Sequence, residues 1–348
     1  MNAGRVVKII LVLFLIGLVV AGIGAVDIYR KAFVANVDLK SESERYLFIH
    51  TGSDFGSVYE NLLNQGILKN KKSFEWTAER KNYPKNIKPG RYLIKNRMSN
   101  NELVNMLRSG NQDVVRLTFN NVNTLQDLSE KVAGQLEFSA SELLDLLEDS
   151  EVVESYGFNT FTIPAMFIPN TYEFYWNTNP EVFLKRMKRE YDVFWNKKRQ
   201  AKAERIGLTP KEVITLASIV NKEVRFDDEK RRVAGLYMNR IQKGIRLQAD
   251  PTLIFAHNDY SIRRVTNDLK KIDSPYNTYK NDGLPPGPIC IPDIASIDAV
   301  LNFEKHNYIY MCAKADLSGY HSFAKTLKEH NKNARAYQKE LNRRRIYR

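Results

Sequence analysis

The sequence predicts an α+β protein in three parts: an N-terminal membrane helix, a small α/β module and a larger mixed α+β domain. Three observations carry this prediction. An 18-residue apolar run, Ile9 to Val26, stands near the N-terminus. Strand-like and helix-like segments then alternate over about 70 residues. Beyond them, long helical patterns are interrupted by loops rich in Gly and Pro. With 43% hydrophobic and 27% charged residues in 348, the chain can build real cores, which excludes global disorder. The 2 cysteines, Cys290 and Cys312, exclude a disulfide scaffold and a Cys-based zinc site. None of the five histidines forms H-E-x-x-H or an i,i+4 pair, so no metal site and no cofactor are expected.

As a helix, Ile9–Val26 would be about 27 Å long, close to the ~30 Å of a bilayer's hydrocarbon core. Arg5 and Lys8 precede it and Asp27 follows. Its positive flank belongs in the cytoplasm, which sends the rest of the chain outside. A cleaved signal peptide is the alternative, since Gly22, Gly24 and Ala25 are small. The run is long for a signal core, however, and lacks a clean A-x-A site. The expected boundaries are a cytoplasmic tail at 1–8, a transmembrane helix at 9–26 and a polar stalk at 27–44.

Arg45–Gly52 reads as a strand, and Phe55–Ile67 as a helix from its spacing of Phe55, Val58, Leu62 and Leu63. Lys71–Lys81 is a second helix, Gly90–Lys95 a strand after a Lys-Pro-Gly turn, and Asn100–Arg108 a third helix. A strand, two helices and a strand fit a small LysM-like glycan-binding module at 45–112, or equally a plain α+β spacer. A connecting α+β region follows at 113–205. It holds a strand at Asp113–Asn120, helices at Asn123–Leu136 and Ser139–Asp149, and a long charged helix at Pro180–Arg205. Its aromatic segment Phe167–Trp176 could border a glycan cleft or form core.

The last domain, 206–348, opens with helices from Pro210 to about Arg225 and from about Asp228 to Lys243. Tyr308–Ala313 reads as a buried strand, and Ala324–Arg345 as a basic terminal helix. The formal charge is +13, and Lys325–Arg348 alone contributes +7. Basic charge often marks nucleic acid. A chain displayed outside the membrane meets anionic envelope polymers or lipid headgroups instead, so no nucleic-acid partner is expected. A solvated helix face would explain the basic tail equally.

One carboxylate stands on an apolar face. In Lys211–Val224, Glu223 projects about 20° from Leu216, 40° from Ile219 and 60° from Val220. Burial among aliphatics disfavours its ionised form and would keep it protonated, as a general acid requires. The alternative is an ion pair with Arg231, Arg232 or Arg240. Asp250, just before Pro251, is expected to cap the short helix Pro251–Ala256.

At these residues the chain resembles the endolytic murein (lytic) transglycosylases, the MltG or YceG-like family. The matching pieces are LASIVNKEV at 216–224, VAGLYMNRIQKGIRLQADPT at 233–252, SPYNTY at 274–279, GLPPGPI at 283–289, and the segments around His321 and His330. The resemblance implies a membrane helix, a LysM-like region and a catalytic YceG-like domain at 206–348. It implies cleavage of MurNAc–GlcNAc β-1,4 bonds within nascent peptidoglycan strands. The products are 1,6-anhydroMurNAc ends, and the cuts set chain length beside the cell-wall synthases (penicillin-binding proteins). Two departures stand out. The family helix often reads I-V-E-K-E, but here Asn221 replaces the first Glu, leaving Glu223 for catalysis. The upstream family segment appears as PAMFIPNTY at 164–172, with Pro164 and Asn170 in place of its acids, and receives no acid–base role. Gln248, Asp250, Asn277 and Tyr279 are candidates for orienting the sugars. A muramidase using Asp250 as second carboxylate, or a non-catalytic glycan-binding anchor, are the rival readings.

Overall fold

The computed structural model describes residues 3–120, 122–262 and 265–344. The chain divides into two compact units, Met1–Arg116 with Glu173–Thr178, and Leu117–Tyr172 with Asn179–Arg348. This differs from the expected boundaries, because most of the connecting region belongs to the same unit as the last domain.

In the first unit, α1 (Ala3–Phe33) carries the apolar run with its side chains exposed. The stretch after it is no free stalk. Val37 and Leu39 are buried in the core, and Val37 forms an isolated bridge to Leu68. An apolar residue at every second position of an extended segment finds a core when one lies alongside. β1 (Glu44–Ile49), α2 (Phe55–Asn64), α3 (Lys71–Arg80), β2 (Gly90–Lys95) and α4 (Asn100–Ser109) follow. β1 and β2 pair antiparallel, Leu47 opposite Tyr92 and Arg45 opposite Ile94. Leu47, Ile49, Tyr92 and Ile94 turn inward onto Leu62, Phe74 and Leu103, while the residues between them face out. α2, α3 and α4 each have a side-chain cap: Asp54 accepts from Ser57 N, Asn70 from Ser73 N, and Ser99 forms a capping box with Glu102. Trp176 also lies in this unit, edge-on to Phe48 and His50.

β3 (Val114–Phe119) and β4 (Asn170–Tyr175) straddle the division between the units, and α5 (Leu125–Ala133), α6 (Ala140–Glu148) and α7 (Ser150–Ser155) open the second. β3 and β4 share a two-stranded sheet, and Phe119 stacks on Tyr172. Phe167, Ile168 and Tyr172 are buried, so these residues of the 164–172 segment are core rather than a cleft border. The long charged helix is two helices, α8 (Pro180–Phe194) and α9 (Lys197–Arg205). Asn196 ends the first by capping the second, accepting from Arg199 N. Lys197–Arg205 is almost wholly charged or polar and made of good helix formers, so the charged pattern runs on through the break and the sequence reads as one helix.

Then come α10 (Pro210–Glu223), α11 (Asp227–Gln242), α12 (Asp250–His257) and α13 (Ile294–Leu301). β5 (Tyr310–Ala313), β6 (His321–Ala324) and α14 (Leu327–Arg343) complete the fold. α10 starts at a capping box between Thr209 and Glu212 and is the central helix, in contact with α9, α11, α12 and α13. Every residue from Val213 to Val220 is buried. β5 and β6 form a hairpin, Cys312 opposite Ser322, and α14 packs against both strands. β5 is half-buried, not fully buried as its sequence suggests. The basic terminal helix is therefore part of this unit's fold, and position 345, its expected end, lies outside the described residues.

Candidate active site

α10 delivers Glu223 at its last turn to the floor of a cleft of about 480 Å³. α11 supplies Tyr237 and Arg240, the following loop supplies Gln248, and α12 opens with Asp250. Tyr279, the β5 strand, His321 on β6 and His330 on α14 complete the walls.

Loop segments are knitted to α10 by buried polar groups. Ser218 Oγ accepts from Ile289 N at 3.0 Å, and Asn221 Oδ1 accepts from Asp293 N and Ser296 Oγ, both at 3.2 Å. Asn221 is thus a brace for the loop. Gly287 lets the Gly-Pro loop close on Phe161, because a Cβ there would collide with the Phe161 carbonyl. Thr278 joins the segment before α12 to the Asn-Thr-Tyr loop, its Oγ1 accepting from Ala249 N at 3.0 Å.

Glu223 is half-buried, with its carboxyl group enclosed by protein. Tyr237 OH donates to Oε1 at 2.8 Å, and Oε2 has no hydrogen-bond partner among the described residues. Desolvation pushes the carboxyl pKa up to about 7; the Tyr237 hydrogen bond opposes the rise, the charge of Asp250 adds to it and His321 opposes it. A substantial fraction therefore carries a proton at neutral pH, and the oxygen without a protein partner is free to offer it. The expected helical stripe is not the reason for this burial, since α10 is buried on all sides along its middle. Tyr237 and the cleft walls enclose the carboxyl.

None of the three arginines that could pair with Glu223 reaches it. Arg231 donates to Asn302 O, and Arg232 pairs with Glu304. Arg240 is buried and donates to Arg246 O, Ile309 O and Gln248 Oε1 at 2.8, 2.6 and 2.7 Å. It ties α11 to the Gln248 loop and to β5, and places a cation at the cleft wall.

The four sugar-orienting candidates separate. Gln248 lines the cleft in a left-handed backbone conformation, φ 51°, held by Arg240 and by its own N–H donating to Thr278 O at 3.0 Å. Asp250 does not cap α12; the cap residue is Ala249, and Asp250 Oδ1 accepts a short hydrogen bond from Tyr279 OH. Tyr279 lines the cleft through this bond. Asn277 is not on the cleft wall: it is fully buried, its amide donating to Lys270 O and Ile272 O while its oxygen accepts from Tyr279 N. Its amide and carbonyl hold the loop that presents Tyr279.

Sequence reasoning misses Tyr237, Arg240 as a brace, and the pair Glu229–His321. Both oxygens of the buried Glu229 hold His321, through its backbone N at 2.9 Å and Nδ1 at 2.7 Å. The ring's Nε2 has no partner among the described residues. His330 stacks on Tyr310 at 5.3 Å, and burial lowers its pKa. Both histidines lie in segments that carry the family resemblance, and no periodicity assigns them a role. Cys290 and Cys312 are both free thiols.

The YceG-like family model matches residues 47–336. The chain is 28% identical over 332 residues to the endolytic murein transglycosylase of Bacillus subtilis (strain 168), covering 90% of this chain and 91% of that one. It is 26% identical over 360 residues to the endolytic murein transglycosylase of Streptococcus pneumoniae serotype 2, covering 94% of this chain and 65% of that one. Among solved structures, a YceG-like protein from Listeria monocytogenes superposes with a TM-score of 0.56 at 26% identity, over 84% of this chain and 99% of that one.

Proposed function

The chain belongs to the YceG-like family, and from that premise we infer that it is an endolytic murein transglycosylase that acts from the membrane on nascent glycan strands. The observation that carries the mechanism is Glu223: one carboxyl group, poised near neutrality, with Oε2 free at the floor of a cleft.

Oε2–H donates to the glycosidic oxygen as the bond from C1 of MurNAc to O4 of GlcNAc breaks, and the proton stays on the GlcNAc hydroxyl. The 2-acetamido carbonyl supports the positive charge at C1. Glu223, now a carboxylate beside Tyr237 OH, takes the proton from the C6 hydroxyl of the same MurNAc. O6 attacks C1 and closes the anhydro ring, restoring the acid. Because the nucleophile is intramolecular, its effective concentration is high and no water needs activating. A hydrolase normally needs a second carboxylate for that step. Asp250 is engaged by Tyr279, and the relatives carry the transglycosylase name, so neither the muramidase nor the non-catalytic anchor is favoured. Gln248, Asp250 and Tyr279 orient the sugars.

The β-α-α-β module of the first unit binds glycan in a LysM-like manner. α1 anchors the chain in the cytoplasmic membrane with its N-terminus inside, and synthases such as penicillin-binding proteins act beside it. Digestion of uncrosslinked glycan with mass analysis of the new ends tests the chemistry. Anhydro ends are expected, and hydrated ends would establish the muramidase. N-terminal sequencing of membrane-extracted chain tests the anchor, which a mature start near Val26 or Asp27 would refute.

A further inference from the structure

We propose that the groove at the foot of α1 binds the phosphate of a lipid headgroup. The groove measures about 460 Å³ and is lined by Arg30, Lys31, Lys69 and Lys72, with Asp27 as its single acidic residue. Lys31 pairs with Asp27 at 2.6 Å, and Lys69 approaches Asp38 at 4.0 Å. Arg30 and Lys72 are exposed and have no ion pair among the described residues. They come from two elements, α1 and α3, so the groove gathers uncompensated positive charge from both sides.

The walls are fixed before any ligand arrives. Asn100 Nδ2 and Thr77 Oγ1 donate to Lys31 O at 2.8 and 3.3 Å. The buried Asn36 donates to Asn100 Oδ1 at 2.7 Å and to Asn70 O at 3.0 Å. The end of α1 is thus bolted to α3 and α4, and little ordering cost remains for binding.

Depth identifies the ligand. The apolar run ends at Val26, and Arg30 lies about 6 Å further along a helix of ~1.5 Å rise. That is the depth of the headgroup layer, roughly 5–7 Å thick on each side of the hydrocarbon. Tyr29 and Phe33 stack at 5.7 Å and are 61% and 53% exposed, the amphipathic belt expected at that level. A phosphodiester there meets the Arg30 fork and the Lys72 ammonium together. The assignment rests on α1 being a retained membrane helix.

The full chain, extracted in detergent, is exchanged against phosphatidylglycerol, diacylglycerol or inorganic phosphate, and bound molecules are counted by native mass spectrometry. Phosphatidylglycerol is expected to be retained about tenfold more than diacylglycerol. Arg30→Gln/Lys72→Gln should lose that preference, while Lys197→Gln/Lys198→Gln in the second unit should keep it. Equal retention of the two lipids, or a double variant that still prefers phosphatidylglycerol, overturns the proposal. Inorganic phosphate held as well as the lipid would make this a free-anion site and overturn the lipid assignment. Release of wild-type chain from membranes by salt without detergent would refute the anchor and the lipid assignment with it, whereas equal retention of the two lipids by a chain that stays in the membrane refutes the groove alone.

Discussion

The β-α-α-β core and the cleft are built from different kinds of contact. In the first, strands alternate inward and outward, every helix carries its own cap within three residues, and the strands pair across about 50 residues. In the second, each decisive contact is made by side chains between separate elements: Tyr237 of α11 to Glu223 of α10, Arg240 to Ile309 across 69 residues, and Glu229 to His321 across 92. Local signals therefore suffice to place the core, whereas the chemistry of the cleft depends on side chains whose neighbours exist only after folding.

The largest break in this contrast should be Glu223→Gln. It keeps shape but cannot donate and then accept a proton, so formation of anhydro ends should fall by about 10²–10⁴-fold or more. Stability should move the other way. The folded pKa, about 7, lies above the unfolded one, so the buried acid costs stability once pH exceeds the unfolded value, and the cost is complete above pH 7. The variant should melt higher than wild type at pH 8, and the gain should vanish as pH falls towards 4.5. A lower melting temperature at pH 8 would show that the carboxylate is favourably held.

Arg240→Met and Leu62→Ala sharpen the comparison. The first strands two backbone carbonyls and Gln248, at about 3 kcal/mol. The second empties a fully buried site in the first unit, at about 2–5 kcal/mol. Both should lower the denaturation midpoint. Only Arg240→Met should also depress turnover of short soluble glycans under conditions where the variant stays folded. Equal turnover loss in Leu62→Ala would mean that the core shapes the cleft.

Tyr237→Phe should act on the pH profile more than on the fold. Its hydroxyl lowers the Glu223 pKa, so its loss should move the alkaline limb of activity upward, with a modest fall in rate, read from kcat against pH. An unmoved limb would assign that limb to another group. Asp250→Asn should be milder than Glu223→Gln in the same assay. The smallest effect is expected for Ser99→Ala, about 1 kcal/mol from the loss of a capping box, with unchanged cleavage.

Much of the fold is legible in the sequence alone. Gly90–Lys95 is a strand at the expected residues, and Thr209-Pro210 opens α10 as its sequence says, because caps, turns and alternation act within a few residues. The membrane-length helix follows from 18 uncharged residues in a row. Spacing and family likeness together point to Glu223, but the enclosure of its carboxyl comes from Tyr237 and the cleft walls rather than from an apolar stripe on α10. Only the tertiary structure decides that Val37 and Leu39 belong to a core and that Asn277 is a brace. It also decides that α14 brings His330 to the cleft. The raised pKa of Glu223 is of this second kind. Desolvation depends on everything packed around a carboxyl group, and most of those atoms come from α11 and beyond, which no periodicity within α10 can encode.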